Sequence, residues 1–417
     1  MGRVEKFLFV SSIFLLFGYY GLLNVVIVMG FPSYFMSVCI RGYILGSSLY
    51  LLAVSYARHS FPEFTRPIYF FFAYVVLFLT VFAFDNFSSY YQSTAPNVNI
   101  SFKQYYLYII VFIYFSSFFL FFVDRIRFNY IINKPIIFYA GFMFAVVLVL
   151  LVNRGALSTL SLEGSSAYNI NRAQTGTAAT LYIMALYYFF FSNTLIKKVL
   201  LGGVGILLSV LNLVISDSRT SVLTFIVITM FYAFYIIRYV KKHIFSVLTL
   251  LGTLFIGALL SFPFISQSNA YARFSKILFF MQEYTLTGST EFDRIDLFNA
   301  GFSEFLKSPI WGGSVFIPGS LYTHFAPLDI LMTTGIIGAA ITIVICIGMF
   351  RGFVFFLKEK QTSWICALSI AFFINCLTSG CSFSIISYIP ALLLIADAMR
   401  METPLPLYNK IRISSRR

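Results

Sequence analysis

Charge is the first thing this chain lacks. Only 11% of its 417 residues are Asp, Glu, Lys or Arg, 59% are hydrophobic, and the mean hydropathy is +0.88. A soluble globular domain needs far more polar surface, so that class is excluded. Acidic residues are the scarcer sign, 15 against 29 basic, and histidine occurs three times. The five cysteines (Cys39, Cys346, Cys366, Cys376, Cys381) all fall in apolar runs without metal-ligand spacing, so they read as small buried hydrophobes. Neither a P-loop nor a GxGxxG after a strand is present, which argues against a nucleotide-driven pump. Nor does any pair of carboxylates have HExxH or DxD character, so no metal and no cofactor are expected. No internal repeat is visible.

Apolar runs, by contrast, are abundant. Crossing a bilayer takes about 20 mostly apolar residues, and such runs recur from end to end. They are continuous rather than alternating, which excludes a β-barrel. The expected fold is an all-α polytopic membrane protein with about twelve transmembrane helices. We place spans near 7–29, 33–56, 68–84, 105–123, 136–152, 179–196, 199–215, 221–237, 244–265, 325–350, 363–379 and 383–398. The first run has no small-residue cleavage site and reads as a retained span. The expected organisation is nine spans over 1–265, a large external loop over 266–324, three spans over 325–399 and a basic tail over 400–417.

The net charge of +14 lies mainly in alternate loops. One side carries Arg3, Lys6, Arg58, Arg66, Arg125, Arg127, Lys134, Lys197, Lys198, Arg238, Lys241, Lys242, Arg351, Lys358, Lys360 and the basic tail. By the positive-inside rule this side is cytoplasmic and holds both termini. Anionic lipid headgroups, not nucleic acid, are therefore the partner of the basic residues.

Three external segments remain, at 85–104, 153–178 and 266–323. The first is polar and aromatic, the second a Ser/Gly/Thr-rich loop carrying Arg154 and Arg172. Within the third, Ile295, Phe298, Phe302 and Phe305 recur at helical spacing, as in an amphipathic helix on the outer membrane face. Of the histidines, His59 and His243 sit beside cytoplasmic basic residues, as interfacial loop residues do. His324 is external and heads an apolar helix. It reads either as an interfacial ring or as a general base.

Arginines on the external side run against the charge bias. Arg219 lies in the turn 216–220 between two apolar runs, where a lone guanidinium is expensive unless paired. Either Asp217 pairs with it, or the charge is kept for an anion, and guanidinium suits phosphate oxygens bidentately. Arg294 stands among Glu291, Asp293 and Asp296, and a solvated helix face is its plainer reading. For Arg172 the plainer reading is a flexible loop. Arg41, inside a span, either snorkels or marks a transport path. The external carboxylates are Asp85, Glu163, Asp217, Glu283, Glu291, Asp293, Asp296 and Glu304.

Taken in order, Arg294-Ile-Asp, then Ser308-Pro309-Ile-Trp-Gly312, then His324 with Leu328, Gly335 and Gly338, resemble the bacterial O-antigen polymerase and ligase superfamily. The His-to-Gly spacings of 11 and 14 match its H-N-x-x-L…G-x-x-G signature, and Ser218-Arg219-Thr220 resembles its Ser-Arg-Gly-type motif. The likeness covers about the last half of the chain. The Asn that often follows the histidine in ligases is Phe325 here, which favours a polymerase.

The resemblance implies a metal-independent glycosyltransferase of the inner membrane with a periplasmic site. Its substrate would be an undecaprenyl-diphosphate-linked oligosaccharide in lipopolysaccharide O-antigen synthesis, and a chain-length regulator would be a further partner. Arg219 and Arg294, with Arg172, would grip the diphosphate, and His324 would orient or deprotonate the acceptor hydroxyl or help bind the phosphate. Tyr322, Trp311 and Tyr168, with Tyr90 and Tyr91, are candidate sugar contacts. The alternatives are a ligase joining glycan to lipid A-core and a flippase for a lipid-linked oligosaccharide. A flippase is expected to hold polar groups near mid-bilayer between related halves, a pattern the sequence lacks apart from Arg41.

Overall fold

The computed structural model describes residues 3–17, 22, 33–57, 64–84, 121, 165–216, 219–240, 252, 290–315, 317, 323, 325–378 and 382–402. Among these the secondary structure is helical, with no strand. The helices are α1 (Arg3–Phe17), α2 (Ser33–Ala57), α3 (Arg66–Phe84), α4 (Ser165–Phe191), α5 (Gly205–Ser216), α6 (Arg219–Tyr235), α7 (Thr290–Lys307), α8 (Ala326–Leu357), α9 (Ser363–Thr378) and α10 (Tyr388–Glu402). A π-helical stretch, Lys198–Val204, leads into α5, and a second, Ile236–Val240, continues α6. Among the described residues four segments are long and apolar enough to cross a membrane: Arg66–Phe84, Thr220–Arg238, Ala326–Leu357 and Lys360–Thr378. The described residues are thus all-helical, and the chain is a multi-pass membrane protein. Apart from Phe121 and Gly252, the expected spans near 105–123, 136–152 and 244–265 lie outside the described residues, as does the basic tail beyond Glu402.

Two local expectations are corrected. The Ser/Gly/Thr-rich loop is not loop throughout, because α4 begins at Ser165, thirteen residues before its apolar part. Tyr168 and Arg172 therefore stand on a helix. The apolar stretch supplies the helical nucleus, and extending it through Ser, Asn and Thr costs only a few tenths of a kcal/mol per residue. The second correction concerns the tight hairpin at 197–199 that follows from ending one expected span at 196 and starting the next at 199. The break between α4 and the next helical turn falls at residues 192–194 instead, and Lys197 and Lys198 are helical. Lys198 Nζ lies 5.5 Å from the Phe189 ring centre, a cation–π contact that lets the basic residue stay on the helix.

The chain divides into two compact units, one of residues 1–43, 131–288 and 360–374, the other of 44–130, 289–359 and 375–417. In the first, α4 packs on α5 and α6. Tyr182 stacks on Phe225 with ring centres 4.1 Å apart, and its hydroxyl lies 2.5 Å from Thr229 Oγ1. The Tyr232 hydroxyl donates to the Ile183 carbonyl at 3.3 Å. Buried tyrosines between apolar helices must pair their hydroxyls inside the protein, and these two do.

In the second unit α8 is the central helix, packed against α3 and α10. Tyr74, Phe78 and Phe82, one turn apart on α3, are buried and stack in series at 6.4 and 6.3 Å. α8 and α10 touch at Gly352, where any Cβ would overlap the Leu393 carbonyl, the close backbone approach small residues allow between membrane helices. Near that end, buried Asp397 accepts from Arg400 Nε at 3.3 Å.

Candidate functional site

Helix α7 carries three kinds of surface. Gly301 is buried, and a Cβ there would overlap Thr323 Cγ2 and meet Leu328, so this side lies against the head of α8. Phe298, Phe302 and Leu306, at four-residue spacing, form an exposed apolar stripe. Asp296, Asn299, Ser303 and Lys307 are exposed and polar. The helix starts at Thr290, and its amphipathic pattern is the one legible in the sequence. It ends as Ser308 N–H donates to Phe305 O at 3.1 Å, one residue before Pro309, which cannot continue the ladder.

The turn after Pro309 locks onto α8. Gly312 N–H closes the turn on Ser308 O at 2.9 Å, and Gly312 has φ +72. Inside α8, Gly335 leaves the helical region entirely, at φ 64 and ψ −164. Such a break frees backbone groups that must find partners elsewhere. Residues of the turn provide them. Ile336 N–H donates to Pro309 O at 2.9 Å, and Ile337 N–H to Ile310 O at 3.3 Å. Gly313 N–H returns a bond to Met332 O at 3.2 Å. The approach is so close that a Cβ on Gly312 would overlap the Thr333 carbonyl, and one on Gly335 the Ile310 carbonyl. Two glycines with positive φ thus make one latch between the Ser-Pro-x-x-Gly turn and the glycine eleven residues after His324.

Glu304 tightens the same corner. Its carboxylate accepts from Lys307 Nζ at 2.5 Å and from Ser314 Oγ at 3.2 Å, so it is a structural tie between α7 and the turn.

At the head of α8, Phe325 is the N-cap in an extended conformation and Pro327 sits in the first turn, where its missing N–H is not needed. Asp329, fully buried, reaches back to the incoming chain. Its Oδ1 accepts from Thr323 N–H at 2.9 Å and from the Thr323 hydroxyl at 2.8 Å. The same hydroxyl accepts from Phe325 N–H at 3.2 Å. Neither Thr323 nor Asp329 was singled out in the sequence. The available signal was an acid in the first turns of a helix six residues after a threonine, a common helix-start pattern.

The sequence-derived site residues distribute as follows. Arg294 is on α7 and Trp311, exposed, on the latch turn of the second unit. His324 and Tyr322 lie outside the described residues, in the chain between that turn and α8. In the first unit, Arg219 opens α6, while Tyr168 and Arg172 sit one turn apart near the start of α4. Asp217, the alternative partner of Arg219, lies outside the described residues.

Residues 204–343 match the model of the family described as O-Antigen ligase. The match supports membership in the O-antigen polymerase/ligase superfamily. It covers about a third of the chain, running from the π-helical lead of α5 through α6, α7 and the latch into α8. Arg219, Arg294 and His324 all fall within it. No curated protein and no solved structure matches the chain. Members of this superfamily are glycosyltransferase-like enzymes, and the match does not separate its polymerases from its ligases.

Proposed function

We propose that the protein is an O-antigen polymerase of the bacterial inner membrane, working at the periplasmic face. It transfers a growing glycan from undecaprenyl diphosphate to the non-reducing end of a new undecaprenyl-diphosphate-linked repeat unit. The observation that carries this reading is the superfamily match over the stretch that holds Arg219, Arg294, the latch and His324 in motif order. In the transfer, the acceptor hydroxyl gives its proton to His324 as its oxygen bonds to the anomeric carbon of the donor sugar. The bond from that carbon to the diphosphate breaks, and undecaprenyl diphosphate leaves with the electron pair. A glycosyl diphosphate already has a good leaving group, so positioning and charge stabilisation are the main demands. Arg219 and Arg294 meet them with bidentate contacts to the diphosphate, aided by Arg172. A histidine titrates near neutrality, as a base for a sugar hydroxyl should. Trp311, Tyr168 and Tyr322 offer aromatic faces to the sugars.

A ligase, joining finished glycan to lipid A-core, is the second reading, favoured by the match to the O-Antigen ligase family. Phe325 in place of the ligases' frequent Asn favours the polymerase. The deciding experiment incubates purified protein and His324→Ala with a synthetic lipid-diphosphate repeat unit in detergent and resolves products on a gel. We expect a ladder from the wild type, retained in EDTA, and none from the variant. Single transfer to lipid A-core without a ladder would establish the ligase, and no product with either acceptor would end the glycosyltransferase reading.

A further inference from the structure

The head of α8, from Ala326 to the break at Gly335, is held at two places. The latch holds its far end, and the pair Thr323–Asp329 holds its near end. The second hold is unusual in composition. A fully buried carboxyl group spends one oxygen, Oδ1, on both donors of a single residue. Its other oxygen, Oδ2, is buried and meets no hydrogen-bond partner among the described residues, as is the Thr333 hydroxyl one turn on. Burying an acid with half its acceptors unused is unfavourable. An apolar residue of the same shape would avoid that cost but could not hold Thr323.

Those bonds act on residues 323 and 325. Thr323 is fixed through its N–H and its hydroxyl, and the hydroxyl in turn takes the N–H of Phe325 at 3.2 Å. The chain is therefore pinned on both sides of position 324. Thr323 is also seated on α7, where a Cβ at position 301 would overlap its methyl group. We propose that Asp329 is a positioning residue for glycan transfer, fixing through Thr323 the main chain at residues 323 and 325, on either side of His324 in the sequence. The proposal rests on the transfer reading above. It assigns Asp329 no contact with substrate. Displacing a reacting group by about 1 Å can lower turnover by ~100-fold, so a clamp on this backbone acts on kcat more than on donor binding.

The test uses full-length protein in detergent with the synthetic lipid-diphosphate repeat unit as donor and acceptor. The variants are Asp329→Ala, Asp329→Asn, Thr323→Val and Thr323→Ser. Amide exchange at 323–329 is followed in parallel. We expect Asp329→Ala and Thr323→Val to lower kcat about tenfold or more with KM within about twofold, and to speed exchange at Thr323 and Phe325. Thr323→Ser, which keeps the hydroxyl, recovers most of the rate. Asp329→Asn, whose amide oxygen accepts both bonds, does the same. Wild-type kcat in Thr323→Val overturns the proposal even if Asp329→Ala does not fold. So does a rate in Asp329→Asn as low as in Asp329→Ala with exchange unchanged, since charge and not the clamp would then be at work. Absence of any product from wild-type protein is a different failure. It removes the transfer reading and the proposal with it, while the exchange data still report whether the clamp exists.

Discussion

Arg219 opens an apolar helix and Arg294 stands on an amphipathic one, and the orientation proposed above keeps both guanidiniums on the outer face, against the forces that sort charge across the bilayer. Their assigned task, gripping a diphosphate, depends on the planar fork and not only on the positive charge. Arg294→Ala and Arg219→Ala should each abolish long-chain product while the protein stays inserted. Arg294→Lys should retain a residual rate, because losing one oriented donor to a developing anion costs about 10²–10³ in kcat when nothing replaces it. Product gels and membrane-fraction immunoblots read both quantities. Normal chain lengths in both alanine variants would sink the diphosphate assignment. The sequence made these arginines visible because each is an exception to a strong rule. Asp329 was not visible, because an acid near a helix start obeys the rule for helix starts. Its burial and its grip on Thr323 arise only when the chain folds back, which no local pattern encodes.

At the scale of elements, periodicity predicted well where packing is one-sided and poorly elsewhere. The helix of α7 was legible from Phe298, Phe302 and Phe305, whereas the start of α4 at Ser165 was hidden under loop-like composition. The break in α8 was hidden too, since glycine is ordinary in membrane helices and the run GIIG gives no sign that only its first glycine leaves the helix. That glycine is where an element-level prediction is sharpest. Gly335 adopts a backbone conformation nearly closed to other residues, and a Cβ would overlap Ile310's carbonyl. Gly335→Ala should therefore destabilise the protein by about 1–3 kcal/mol from backbone strain alone, and should release the turn that carries Trp311. Gly46→Ala, on α2 with open space around it, should leave stability unchanged or slightly improved. Thermal melting in detergent compares the two. Equal melting temperatures would mean that the latch contributes nothing.

For the whole molecule the decisive question is which face of the membrane carries the α7–α8 corner. Helix α8 has 32 residues, roughly 48 Å at 1.5 Å per residue, well beyond the ~30 Å hydrocarbon layer. The section after the break, 336–357, measures about 33 Å and spans by itself. The segment before the break is thus surplus to crossing and free to serve as the seat of the site at one surface. At the opposite end stand Lys358 and Lys360, with Arg351 within the last two turns, and such basic residues are retained on the cytoplasmic side. This distribution of charge predicts that the corner faces the periplasm, where the proposed lipid-linked repeat units would meet it. Single cysteines at Asn299 and Gln361, both exposed and at opposite ends of this path, test the arrangement in a background lacking the five native cysteines. An impermeant maleimide added to intact spheroplasts should label Asn299→Cys at once and Gln361→Cys only after the membrane is opened. The reverse pattern would place Arg294 and His324 in the cytoplasm, and the periplasmic polymerase would have to be abandoned whatever the superfamily match.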